Sequence, residues 1–389
     1  LIPMKREPDF AGHRLALPMV ELDSIGAGAG TAVRVDRFQR VELGPDSAGS
    51  DVGICFRYPE ITISDLNVAL GFLNPHNFLG GNIRLDRQAS LEAIEERLAR
   101  PLGVDVNRAA EGVLELLHGQ MRDAIRNTLL ARGYSPADYT LFAYGGAGPL
   151  HLRGIADSGF RGVATFPWAA AFSAFGVACC SIARRYSAGV SAYVHPGWDA
   201  ATKAATGQQF SAVFRELEAQ ARREMQAAGI EESDIRFRYA MFARYMGHLE
   251  PLEVPLPNGT FAGAADVDAA LRAFENTYVK IYTDAGRFPE AGYFISEFIL
   301  EAIAPKPSPE IPEYHEMREA PDADAVKGER KVYFGHWVQT RIYEMDRLRA
   351  GNCIKGPAIV EDPMTTLVLP PGRQIKLDQY RIIWYGEAR

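Results

Sequence analysis

Several things this sequence lacks narrow its function before any motif is read. Lysine and arginine total 42 against 49 aspartates and glutamates, a formal net charge of −7. With no basic excess to neutralise phosphates, nucleic acid and anionic membrane surfaces are poor partners. No apolar run approaches the roughly 18 residues a membrane-spanning helix needs. The longest low-charge stretch, residues 162–182, contains Pro167 and many small residues and reads as buried strand, loop and helix. The start of the chain carries no secretory pattern. Cysteine is scarce, and Cys55, Cys179, Cys180 and Cys353 match no common zinc spacing. They read as small buried hydrophobes in a reducing compartment, which points to the cytoplasm. Also missing are the G-x-G-x-x-G fingerprint, a P-loop, an H-x-x-x-H pair and a Ser-His-Asp order. No metal-ligand set is legible.

What is present is a packed globular pattern, with 47% apolar and 23% charged residues over 389 positions. That length suits two or three domains. Residues 31–35 and 40–43 alternate like a hairpin, with a turn near 36–39. The punctuated stretch 44–49 follows. Ile61-Thr62-Ile63-Ser64-Asp65 reads as a strand whose last residue caps a helix over 66–71. Helices are expected over 90–98 and 107–132, the second with Val113, Leu116, Leu117, Met121, Ile125, Thr128 and Leu129 at helical spacing. Thr140-Leu141-Phe142-Ala143-Tyr144 is a buried-looking strand. Further helices are expected over 208–228 and, capped by Asp266, over 266–281, with strands over 235–243 and 249–256. Residues 304–328 read as a proline-rich, then acidic linker. The tail is rich in β-patterning and tight turns. Dense patterning from the first residues reads as a segment whose N-terminal part lies elsewhere.

Glycine supplies the chemistry-bearing features. The 140–144 strand runs into Gly145-Gly146-Ala147-Gly148 and then a Pro149-led helix. Glycine lets backbone approach a ligand, and a helix N-terminus offers free N–H groups to a nucleotide or phosphate. A close helix–strand crossing explains the same residues equally well. Gly26-x-Gly28-x-Gly30 invites the same two readings. His151, one turn into the helix, has the chemistry to meet a phosphate or move a proton, or is a hydrogen-bonded structural histidine. Asp23, Asp46 and Asp65 sit at strand–loop edges, where they suit capping or a divalent cation. His76, Arg184-Arg185 and His248 read as loop or structural residues.

An ordered series of motifs over nearly the whole chain resembles the hydantoinase A/oxoprolinase family. It comprises Ala16-Leu17-Pro18-Met19-Val20 through Ser24-Ile25-Gly26-Ala27-Gly28-Ala29-Gly30, Gly44-Pro45-Asp46-Ser47-Ala48-Gly49, and Leu70-Gly71-x-Leu73-Asn74-Pro75-x-x-Phe78-Leu79-Gly80-Gly81. It continues with Gly145 through His151, Ser173-Ala174-Phe175-Gly176, and Gly351-Asn352-x-Ile354-x-Gly356-Pro357-Ala358-Ile359-Val360-Glu361. Ser50-Asp51-Val52-Gly53-Ile54-Cys55-Phe56-Arg57 departs from the family's usual P-G-P-A-C-Y-G-x-G-G and looks more like ketone carboxylases acting on acetone or acetophenone.

The resemblance implies an α/β chain: part of an actin/Hsp70/sugar-kinase-like ATPase fold with an additional β-rich C-terminal domain. The expected boundaries are an ATPase-type core at 1–190, an α+β domain at 191–303, the linker at 304–328, and the β-rich domain at 329–389. The family's D-x-G-G-T phosphate loops do not occur here, since Gly80-Gly81 and Gly145-Gly146 lack the preceding Asp and following Thr. By resemblance, Gly145, Gly146, Ala147 and Gly148 would contact the adenosine side of ATP. Gly26, Gly28 and Gly30 with Asp23 would line an interdomain cleft, and His151 would assist catalysis. The implied activity is an ATP- and Mg²⁺-dependent carboxylation of a methyl ketone with bicarbonate, in a hetero-oligomer with a hydantoinase B-type subunit. ATP-dependent opening of a hydantoin or 5-oxoproline, and a mainly structural docking role, are the alternatives.

Overall fold

The computed structural model describes residues 4–5, 9–10, 12–15, 19–20 and 22–387. Part of the expected apolar run at 15–20 lies outside these. The chain enters a hairpin, β1 (Thr31–Val35) and β2 (Val41–Ser47). Helices α1 (Ile63–Ala69), α2 (Arg87–Ile94) and α3 (Val106–Leu130) follow. Strand β3 (Thr140–Phe142) leads through the glycine loop to α4 (Gly148–Ile155), and β4 is Gly162–Thr165. After α5 (Phe172–Cys179) come β5 (Ile182–Val194), α6 (Ala200–Ala227), β6 (Arg236–Tyr245), β7 (Leu252–Leu256), α7 (Ala264–Tyr282) and β8 (Tyr293–Ala304). The tail holds β9 (Val326–Tyr333), β10 (Trp337–Glu344), β11 (Cys353–Lys355), β12 (Ala358–Glu361), β13 (Thr366–Leu369), β14 (Arg373–Leu377) and β15 (Ile383–Glu387). No helix among the described residues is long and apolar enough to cross a membrane.

Two compact units result, Leu1–Ser173 with Ile311–Arg389, and Ala174–Glu310. The second unit is an antiparallel four-stranded sheet in the order β7-β6-β8-β5. Strand alternation sends Met241, Ala243 and Tyr245 into a core with Phe214 of α6 and Phe274 of α7. Ala240 and Phe242 pack with Ile299 in a separate small cluster.

The first unit contains a mixed five-stranded sheet in the order β11-β14-β15-β4-β3, and a four-stranded sheet in the order β9-β10-β12-β13. The β3–β4 pair is parallel, and so is β10–β12. Here the domain reading is corrected. The tail at 329–389 is not a domain of its own, because β15 pairs directly with β4 through Ile383–Thr165 and Trp384–Ala164. The apolar edge of a two-stranded piece at 140–165 needs a partner, and the tail supplies it. The unit boundary also falls at 173/174 rather than 190/191.

Local signals behaved unevenly. In α3, Val113 and Leu117 are buried as the spacing predicts, whereas Leu116 is 41% exposed. The expected strand at 61–65 is reduced to one bridge, Ala32–Thr62, because a helix starts at Ile63. Asp65 is therefore not the cap. It is the third helical residue, and its Oδ2 accepts the Thr62 N–H at 2.8 Å. Asp266 repeats the pattern, accepting from Gly263 N–H at 3.0 Å. The glycine–proline punctuation at 44–47 lies inside β2 rather than in a loop.

Candidate functional site

The site is built outward from one buried carboxylate. Asp65 is fully buried and accepts the N–H groups of Thr62 (2.8 Å), Ile54 (3.1 Å) and Cys55 (2.8 Å) and the hydroxyls of Thr62 (2.9 Å) and Ser90 (2.8 Å). Five donors compensate its burial and pin the 52–55 turn to α1 and α2. Its neighbour Ser64 then holds the first glycine run, with both its N–H (2.9 Å) and its hydroxyl (3.0 Å) on the Ala29 carbonyl.

Ala29 and Ser64 form one side of a cavity of about 270 Å³. Gly146 and Ala147 of the second glycine loop form another side. The remaining walls are the 73–79 loop, with Asn74, Asn77, Phe78 and Leu79, and the hairpin tip 362–366 between β12 and β13. Thr365 Oγ1 donates to the Gly146 carbonyl at 2.9 Å, which ties the tip to the glycine loop. Gly145 has φ +87°, a left-handed conformation that favours glycine, and donates to the Ala169 carbonyl at 2.7 Å.

The lining sorts by chemistry. Leu73, Phe78, Leu79, Leu150 and Met364 are apolar, and Ser64, Asn74, Asn77, Thr365 and Thr366 offer amides and hydroxyls. Asp362 is the one ionisable group in the lining. Burial, reinforced by Asp346 and Glu344, raises its carboxyl above the usual range against the opposing pull of the Met364 N–H. This set fits a flat heterocycle with a hydroxylated ring. With no lysine or arginine in its lining, it does not fit a triphosphate. Among the described residues no group of three or more His, Cys, Asp and Glu is placed to hold a metal.

The expected site residues divide. Gly146 and Ala147 line the cavity, and Gly145 and Gly148 flank it as loop turn and first helical residue. Gly26, Gly28 and Gly30 stand beside it, with only Ala29 of that run in the lining. Asp23 is elsewhere. Its Oδ2 accepts from Thr128 Oγ1 at 3.1 Å, and it lines a separate groove of about 850 Å³ along α3 and β3.

His151 takes the second of its two readings, the hydrogen-bonded structural histidine. It points away from the loop into the core, 3% exposed, with Nδ1 3.1 Å from Nε2 of the equally buried His118. Burial, with Arg153 nearby, pushes His151 down to about 4. Burial, Arg153, His151 and Arg122 push His118 to about 2. Both rings are neutral at physiological pH and bridge α3 to α4. A buried neutral ring cannot meet a phosphate in the cavity.

Sequence reasoning missed Asn74, Asn77 and the 362–366 tip as cavity walls. The signal was present, since Asn74 and the Gly356–Glu361 run belong to the quoted motifs. Only the fold brings them together.

Comparisons with known proteins cover nearly the whole chain. Residues 2–186 match the family model described as Hydantoinase/oxoprolinase, and residues 198–388 match the Hydantoinase/oxoprolinase C-terminal domain. The acetone carboxylase beta subunit of Xanthobacter autotrophicus is 40% identical, over 99% of this chain and 54% of that protein. The acetophenone carboxylase gamma subunit of Aromatoleum aromaticum is 33% identical, over 93% and 50%. A nucleotide-free acetone carboxylase structure superposes with a TM-score of 0.84 at 39% identity, covering 100% of this chain and 55% of that one. An ATP-dependent caprolactamase from Pseudomonas jessenii gives 0.84 at 27% identity, covering 99% and 56%. The chain spans about half the length of the curated relatives it matches.

Proposed function

Since the chain belongs to the hydantoinase/oxoprolinase family, we propose that it forms the nucleoside-binding part of an ATP-dependent ketone carboxylase subunit. The observation that carries this reading is the cavity itself. Five segments, at 29, 64, 73–79, 146–150 and 362–366, converge on a space suited to a base and ribose. The names of its relatives support carboxylation, and the superposition supports an α/β fold of the same architecture, which we take to be actin-like.

In this reading the apolar wall of Leu73, Phe78 and Met364 takes the base face, and the Asn74 and Asn77 amides take its edge or the ribose. The glycine loop backbone closes over the sugar. Bound ATP supplies the phosphoryl group that traps a ketone enol or activates bicarbonate, neither of which forms readily in neutral water. The chain's own contribution is positioning of the nucleotide. Its relatives are named as subunits, which supports assembly with further chains; a hydantoinase B-type subunit as one of them is our proposal from the family resemblance.

The assembled complex, given ATP, methyl ketone and bicarbonate, should consume all three together. ATP turnover indifferent to ketone would refute the assignment. Likeness to the caprolactamase favours one alternative, ATP-dependent opening of a cyclic amide. A substrate panel of ketones and lactams separates the two.

A further inference from the structure

Beside the cavity lies a recess of about 460 Å³ that shares Leu73 and Asn74 with it and is lined by charge. At its centre is Glu361, 1% exposed, the last residue of β12 before the 362–366 tip. Arg330 Nη1 binds Glu361 Oε1, Lys327 Nζ lies 3.0 Å from Oε2, and Asn74 Nδ2 donates to Oε2 at 3.4 Å. Lys327 continues to Glu344 at 3.0 Å and to the Asn77 side-chain oxygen at 3.4 Å. Arg330 also donates to the carbonyls of Gly71 (2.9 Å) and Phe72 (3.0 Å). One buried carboxylate thus joins the strand that carries one cavity wall to the loop that forms another. The two segments also run close together, since a Cβ added at Gly80, next to Leu79, would lie 3.3 Å from Pro363 Cβ.

Neither Glu361 nor Lys327 lines the cavity. A buried carboxylate with two cations is stable only while both stay in place, and removing one partner leaves an uncompensated charge. The distance between the 74–79 loop and the 362–366 tip is therefore held by this ion network. On the reading that the cavity holds the nucleoside, we propose that Glu361 and Lys327 are positioning residues that set its width and select the nucleotide without touching it.

The test measures equilibrium binding of ATP and GTP to the assembled complex carrying E361Q, K327M or both. An A147W variant serves as the control that fills the cavity. Each single variant is expected to weaken ATP binding about 10-fold and to narrow the ATP/GTP preference, the double being no worse than the weaker single. The KM for ketone at saturating ATP should stay within about 2-fold, which a general loosening of the fold would not allow. If E361Q does not fold, K327M alone decides, because it leaves the Glu361–Arg330 pair intact. Unchanged ATP affinity in both single variants, with A147W blocking binding, overturns the positioning role. Unchanged affinity in A147W as well overturns the cavity reading beneath it.

Discussion

Replacing Gly154 with alanine probes the contact between α3 and α4 beneath the glycine loop. A Cβ at this position would lie 2.1 Å from both Cγ and Nδ1 of the His118 ring and 2.6 Å from Cδ2. The ring cannot simply swing aside. Its Nε2 is bonded to His151 Nδ1 at 3.1 Å, and the two rings meet edge to face at 5.3 Å between centroids. Three effects compete. Alanine in a helix interior is favoured over glycine by about 1 kcal/mol. Forcing a methyl into a filled core costs about 1–3 kcal/mol. Losing the buried histidine hydrogen bond and orphaning its nitrogens costs a further 1–3 kcal/mol, roughly. The net expectation is destabilisation of about 1–5 kcal/mol, from the sum of these terms. Urea unfolding of wild type, G154A, H118A and G154A/H118A measures it, because the double variant removes the clash and should lose much less than the sum of the singles. A G154A protein as stable as wild type, or more so, would show that the His118 ring does not occupy the space over Gly154.

The same histidine pair makes stability pH-dependent. Its folded values, about 4 for His151 and about 2 for His118, lie below the usual 6.5, so the unfolded chain binds protons first. The contribution is complete above pH 6.5 and is lost as pH falls toward 4, by at most about 1.4 kcal/mol per pH unit for each ring. Denaturant midpoints between pH 7 and 4 should show this slope, and an H118Q/H151Q protein with an unaltered slope would count against it. D65N should cost about 3 kcal/mol, since its amide turns a donor toward groups that all donate to Asp65. An unfolding midpoint equal to wild type would contradict that arrangement. T365V removes the bond to the Gly146 carbonyl at nearly constant volume. It should cost about 1 kcal/mol and weaken ATP binding severalfold, and unchanged binding by calorimetry would detach the tip from the site.

Much of the local structure was legible in the sequence because it depends on neighbours. The 3.6-residue spacing of Val113, Leu117 and Met121 marks α3, and the run from Thr140 through Pro149 marks strand, loop and helix within a residue or two. The ordered motif series carries the family resemblance by itself, and the family models match the same chain. Capping was read one step wrong twice, at Asp65 and Asp266. An acid near a helix start serves as cap or as third residue equally well, and the N–H groups around it decide between the two.

What only the tertiary structure decided concerns residues far apart in the chain. His151 looked like a group for a phosphate because it follows a glycine loop, but α3 presents His118 to it and buries both. The tail looked independent because its turns are local, but β15 completes a sheet begun more than 200 residues earlier. Glu361 looked like the end of a strand motif, yet Lys327 and Arg330 of β9 and Asn74 of the 73–79 loop converge on it from two other segments. Periodicity records which face of an element is apolar. Which distant face or charge covers it is settled when the chain packs, because burying an unpaired group costs more than local preference can offset.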